Sequence, residues 1–168
     1  AYVLYREQRA KQRYKTAQLK EQVGAKVSTM AVTKRDGNKE DISLEKITNR
    51  ISVLSNGLEI DPITIAQKAI QGLYDGITTN EIDTYLAETA AALTVEHPDY
   101  SYLAGRIKAN ALHKETPGFI VATKNLYEDG LLRDEYYQKV KANAEEIEKI
   151  IDYDRDYDFD YFALTTLF

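Results

Sequence analysis

Four cations stand close together in this sequence: Lys34 beside Arg35, then Lys46 and Arg50 four residues apart. The first pair precedes Asp36-Gly37, a strong short-range hairpin signal. Residues 32–42 therefore read as a strand, a tight turn centred on Asp36-Gly37 and a returning strand. The second pair shares one face of the helix that follows. Turn N–H groups, a helix N-terminus and mobile cationic side chains are the ingredients of anion binding, and several convergent cations suit a polyphosphate. Lys46 falls in the first helical turn, where positive charge is unfavourable, so a negative group is expected beside it. A surface ladder of Glu45, Lys46 and Arg50 in ordinary ion pairs accounts for the same residues about equally well.

Further residues can join this cluster. Thr79 and Asp83 sit at i and i+4, on one face at the start of a later helix. A hydroxyl there can bind phosphate and Asp83 can hydrogen-bond a sugar, although capping and dipole complementation explain both more simply. Lys114 ends another helix, which dipole complementation alone justifies. Val32, Ile42 and Ile47 can wall a planar base between hairpin and helix; on residue type alone, plain core explains them better. There is no Gly-rich Lys loop, no G-x-G-x-x-G, no nucleophile–base pair and no carboxylate dyad, so nothing assigns catalysis to these residues.

The elements that must position the cluster follow from periodicity. Residues 1–24 read as a helix ended by Gly24, and 25–30 as a linker before the hairpin. Ser43 is an N-cap for a helix with the stripe Ile47, Ile51, Leu54 and Leu58. Asp61-Pro62 opens a second helix, with Ile63, Ala66, Ile70 and Leu73 on one face. Thr78 to Glu81 spells a capping box for a third, with Ile82, Leu86, Ala90 and Leu93 as its core. His97-Pro98-Asp99 starts a fourth, with Leu103, Ile107 and Ala111. Helical segments are expected near 119–127, 133–142 and 143–151, ahead of an aromatic, acidic tail over 152–162 whose acids are expected on a solvated surface. The fold class is α+β and mostly helical: a four-helix bundle capped by a β-hairpin, with helical flanks.

Composition narrows the classes. The chain has 168 residues, 43% hydrophobic and 29% charged, the balance of an ordinary globular domain with an appendage. No apolar run approaches the ~20 residues needed to cross a bilayer, so the expectation is a soluble cytoplasmic protein with no membrane partner. Cysteine is absent, which removes disulfides, thiolate chemistry and zinc ribbons, and two histidines make a histidine-rich metal site unpromising. The net charge of −5 is unevenly spread: residues 1–27 carry +5 and the remainder about −10. The acidic body argues against an extended nucleic-acid surface. The chain starts at Ala1 and stops in the apolar run Thr165-Thr166-Leu167-Phe168, and a piece of something longer is expected.

Several motifs in order resemble one family. They are Val32-Thr33-Lys34-Arg35-Asp36-Gly37, Ile47-Thr48-Asn49-Arg50-Ile51, Gln71-Gly72-Leu73-Tyr74-Asp75-Gly76-Ile77-Thr78-Thr79, Ala87-Glu88-Thr89-Ala90-Ala91, His97-Pro98-Asp99-Tyr100 and Leu112-His113-Lys114-Glu115-Thr116. Together they resemble an ATP-cone at the N-terminus of the large, catalytic subunit of class I ribonucleoside-diphosphate reductase. Ile151 to Asp156 and Tyr161 to Leu167 are similar to the segment leading into that subunit's catalytic barrel. Residues 1–10 resemble the closing helix of another ATP-cone. The implied organisation is a cone tail at 1–24, a linker at 25–30, an ATP-cone at 31–116 and a barrel-leading segment at 117–168.

The resemblance implies an allosteric module that binds ATP, which activates, or dATP, which inhibits, with Mg²⁺. It implies phosphate contacts from Lys34, Arg35, Lys46, Thr79 and Lys114, added charge from Arg50, and adenine contacts from Glu40 with Val32, Ile42 and Ile47. Asp83 takes the position that senses the sugar. The implied partners are the rest of the large subunit, the radical-generating small subunit and further copies of the chain when dATP binds. The active-site cysteines are expected elsewhere. Two alternatives stand beside this reading: the ATP-cone of a transcriptional repressor of reductase genes, which carries a zinc ribbon for which this sequence has no cysteine, and a helical interaction domain with no nucleotide affinity.

Overall fold

The computed structural model describes residues 30–167 together with the isolated helical positions Ala10, Tyr14 and Ala17. The helix expected over 1–24 and the linker over 25–30 otherwise lie outside the described residues.

Strands β1 (Ala31–Thr33) and β2 (Lys39–Asp41) pair antiparallel, with Val32 opposite Glu40. Opposed residues share a face of the ladder, so these two side chains look the same way. The turn is displaced from its expected centre. Gly37 N–H closes it on the Lys34 carbonyl at 2.9 Å, so Arg35 and Asp36 occupy the middle positions. Gly37 follows with φ of +82°, a left-handed conformation that glycine adopts without steric cost. Asp36 then accepts from the backbone N–H of Asn38 at 2.9 Å and from its side-chain amide at 2.7 Å. Five residues therefore separate the strands, and the longer loop swings Arg35 toward the helices.

Helices α1 (Leu44–Leu54), α2 (Pro62–Gln71), α3 (Thr79–Ala92) and α4 (Asp99–Glu115) form the bundle beneath the hairpin. Each of the first three starts where its cap is written. Ser43 accepts from Lys46 N–H, Asp61 from Ile63 N–H, and Thr78 with Glu81 completes a reciprocal capping box. The apolar stripes meet in one core, with Ile51, Ile65, Leu86, Leu103 and Ile107 its largest fully buried side chains. Burying each contributes about 1.5–3 kcal/mol of transfer free energy.

The segment between α2 and α3 joins hairpin to bundle. Ala31 N–H donates to the Asp75 carboxylate at 2.7 Å, Gly76 N–H to the Ala31 carbonyl at 2.8 Å, and Thr33 N–H to the Ile77 carbonyl at 2.9 Å. Residues 76–78 thus run along the free edge of β1 and deliver the start of α3 to the hairpin.

Beyond the bundle, α5 (Phe119–Glu128), α6 (Asp134–Ala142) and α7 (Ala144–Ile150) fold on one another, with Tyr127 and Tyr137 stacked at a centroid distance of 4.1 Å. A 3₁₀ turn (Tyr153–Asp158) and α8 (Tyr161–Leu167) then return to α4. The tail keeps its acids largely at the surface, and Asp156, its side chain 44% exposed, also takes a partner on α4. Gly105 permits the return. A Cβ on it would lie 2.3 Å from the Phe159 carbonyl oxygen and 2.8 Å from the Asp160 carbonyl carbon.

Helix propensity alone favours alanine over glycine at position 105 by about 1 kcal/mol. The backbone clash should reverse that sign. Gly105→Ala is expected to lower stability by about 1–3 kcal/mol in urea unfolding; a stabilised variant would show that this close approach is not maintained.

Candidate functional site

Between hairpin and bundle lies a cavity of about 160 Å³, lined by Val32, Arg35, Glu40, Ile42, Ser43, Lys46, Ile47, Arg50, Thr79, Ile82, Asp83, Leu86 and Lys114. Ten of the eleven residues singled out from the sequence line it. The other, Lys34, is not part of the lining but pairs with Glu40, which is. Ser43, Ile82 and Leu86 were not anticipated as lining. Ile82 and Leu86 follow from Thr79 and Asp83 by helical spacing, a signal available in the sequence.

The walls divide by chemistry. Val32, Ile42, Ile47, Ile82 and Leu86 are its apolar lining, all but Ile47 buried. The rest of the lining includes four cations against two carboxylates, an excess of two positive charges in a chain of net −5.

Those carboxylates organise the cations into two groups. Asp83 is buried, 3% exposed, and accepts from Arg50 through one oxygen and from Arg35 through the other at 3.2 Å. A buried carboxylate needs such partners, because leaving it unpaired costs several kcal/mol. Arg35 also reaches Glu115 at the end of α4, at 3.3 Å. Glu40 meets Lys34 at 2.6 Å and Lys46 at 3.1 Å. It is the negative group that Lys46 requires in the first turn of α1. Hydrogen bonds from Lys34 and then Lys46 hold the Glu40 carboxyl below its ordinary range.

Even so, the cationic groups are left wanting an anion. Among the described residues, Nε and Nη2 of Arg50 are buried and have no hydrogen-bond partner. Buried unpaired donors are uncommon and call for an acceptor. Lys114 has no hydrogen bond or ion pair with the described residues. Partial burial of its ammonium, then repulsion from Arg50, lowers its pKa against the opposing pull of Asp83, and Arg35 lowers it further. Thr79 likewise keeps its hydroxyl free among the described residues, because capping falls to its neighbour: Thr78 Oγ accepts from Glu81 N–H at 3.2 Å, and Glu81 accepts from Thr78 N–H at 2.8 Å. Capping therefore explains Thr78 and not Thr79, and Asp83 serves two arginines instead of complementing a helix end.

Comparison with known proteins agrees with this layout. The family model described as "ATP cone domain" matches residues 30–115, which span the hairpin and α1–α4. The ribonucleoside-diphosphate reductase large subunit of Dictyostelium discoideum is 42% identical over 158 residues, covering 84% of this chain and 18% of that protein. The large subunit of Caenorhabditis elegans is 44% identical over 149 residues, covering 81% and 19%. That of Arabidopsis thaliana is 40% identical over 151 residues, covering 82% and 18%. The chain therefore spans less than a fifth of the length of these relatives. No helix among the described residues is long and apolar enough to cross a membrane.

Lys114 yields a prediction with an unusual sign. Its folded-state pKa lies below the value of 10.5 expected when unfolded, so its charge costs stability below the folded pKa. That cost fades as pH rises toward the unfolded value. Lys114→Met should raise the melting temperature at neutral pH by about 1–2 °C, a small effect because the side chain is partly exposed. The difference from wild type should shrink as pH approaches 10.5. A variant that melts lower at neutral pH would show that Lys114 has a stabilising partner.

Proposed function

This chain belongs to the ATP-cone family, and from that premise we propose that its cavity binds ATP or dATP and regulates the reductase large subunit whose N-terminal part the chain resembles. The observation that carries the reading is Arg50: it lines the cavity together with the excess positive charge and the apolar residues, and its buried Nε and Nη2 have no partner among the described residues. A triphosphate joined to a planar base has that division of chemistry within one molecule.

The base would lie against Val32, Ile42 and Ile47, with Glu40 near its edge. The phosphates would take Arg35, Lys46, Arg50, Thr79 and Lys114, with Lys34 closing from the rim. Arginine forks bind phosphate oxygens in pairs, whereas lysines act as mobile point charges. No group of three or more His, Cys, Asp or Glu able to hold a metal is found among the described residues. A magnesium ion would therefore be carried by phosphates and water, as is usual for nucleotide-bound Mg²⁺.

Ligand entry requires exchange. The cavity is smaller than the roughly 300 Å³ at which small-molecule sites begin, and three of its four lining cations, Arg35, Lys46 and Arg50, are engaged with Asp83, Glu40 and Glu115. Phosphate oxygens would replace those carboxylates, and the hairpin would move as they do. ATP and dATP differ by one hydroxyl, so only a contact that differs between them can bias one conformation over another. Asp83, held at the junction of hairpin, α1 and α3, is placed for that contact. The large subunit's reductase activity, its cytoplasmic setting, its small-subunit partner and assembly of further copies on dATP are part of the same proposal.

Isothermal titration calorimetry with Mg²⁺ and each nucleotide tests it. Lys46→Ala and Lys34→Ala should each weaken binding by about tenfold, the loss of one charge-assisted contact. Unchanged affinity in both would refute the site. Asp83→Asn should change the ratio of ATP to dATP affinity by at least about fivefold, a modest coupling energy. An equal loss for both nucleotides would reduce Asp83 to a structural counter-ion.

A further inference from the structure

Of the two helices that bring cations to the cavity, α4 is tied directly to the 3₁₀ turn Tyr153–Asp158, and α1 is tied to it through Arg106 of α4. On α4, successive residues of the last turn look in different directions. Lys114 lines the cavity, while His113 Nε2 meets Asp156 Oδ2 at 2.7 Å. The His113 ring also packs edge-on against Tyr157 at 5.5 Å and Tyr153 at 6.2 Å. On α1, Lys46, Ile47 and Arg50 line the cavity, and the C-terminal end is held by Arg106. Its Nη1 donates to the carbonyls of Leu54 at 2.9 Å and Asn56 at 2.8 Å, while its Nε donates to the Tyr157 carbonyl at 3.4 Å.

We infer that the Tyr153–Asp158 turn is the element that senses occupancy of the cavity, with His113 and Arg106 as positioning residues that couple it to α4 and α1. The inference rests on the nucleotide reading given above. Lys114 and His113 are neighbours in the last turn of α4, so any rotation of that turn toward an anion also displaces His113 against Asp156. Likewise, α1 cannot shift toward or away from the hairpin without drawing on the carbonyls that Arg106 grips. Both displacements reach the same six residues through directional polar contacts. Directional contacts make or break over a few tenths of an ångström, whereas apolar packing yields gradually. Asn110 adds a third tie from α4, donating to the Tyr157 hydroxyl at 3.3 Å. The close passage of residues 159–160 over Gly105 then fixes where the turn can go.

Hydrogen exchange read by mass spectrometry, run beside calorimetry on the same samples, tests the coupling. On adding Mg²⁺ with ATP or dATP, amides of residues 153–158 should change exchange rate by at least about fivefold, a modest allosteric coupling. His113→Phe keeps the ring and removes the polar link. It should at least halve that response while shifting affinity by no more than about the same fivefold, since coupling is reciprocal. Asp156→Ala should reproduce this from the other side of the contact. His113→Gln, which retains an Nε2 donor, should restore the response. Amides of α2, which take no part in the link, report any general loosening.

The three outcomes separate cleanly. Binding heat with unmoved 153–158 amides overturns the inference and leaves the nucleotide reading intact. So does a full response in both His113→Phe and Asp156→Ala. Absence of binding heat overturns the nucleotide reading, and this inference falls with it.

Discussion

The architecture turns on a single buried carboxylate. Asp83 sits one turn into α3, almost without solvent, and its two oxygens are shared between Arg50 from α1 and Arg35 from the hairpin. An ionised carboxylate in such a place must be paired, and each pairing fixes one element against another. The hairpin is thereby held down over the bundle at the point where its own core contribution, chiefly Val32 and Ile42, is smallest. The capping box at Thr78 and the backbone bonds along β1 set the height at which Asp83 meets them. Removing the carboxylate's charge would relax three elements together.

Asp83 and Glu40 also explain how a strongly cationic cavity remains folded by itself. Like charges crowded under a lid repel, and the two carboxylates offset that repulsion without fully neutralising it. What remains is an excess of positive charge, two buried guanidinium nitrogens lacking acceptors among the described residues and a lysine of lowered pKa. Each is a small cost to the fold that an arriving anion removes. Cost and affinity thus come from the same atoms, so a substitution that relieves one should diminish the other.

Much of this was legible in the amino-acid order, for local reasons. Ser43, Asp61 and Thr78 begin helices because their side chains accept backbone N–H groups within three residues, a relation a linear reading captures. The stripes of α2 and α3 are buried as their spacing implies. Less visible was anything decided by approach from afar. The turn centre moved by one residue because Gly37 takes the left-handed position after Arg35 and Asp36 instead of the second middle position. Capping explained Thr79 as simply as a ligand did until the capping box engaged Thr78 alone. The partner of Asp156 was not visible because His113 lies 43 residues earlier. Lys34 and Arg35 are neighbours in sequence, yet Arg35 lines the cavity and Lys34 stands outside it.

The pairing of residues 76–78 with β1 has a separate consequence for solubility. A two-stranded ribbon ordinarily offers two open rims of unsatisfied peptide groups, each a template for another chain to zip onto. Here one rim is already sealed from within. The other belongs to β2, three residues long and made of Lys39, Glu40 and Asp41, so any intruding strand would meet a charged residue at every position.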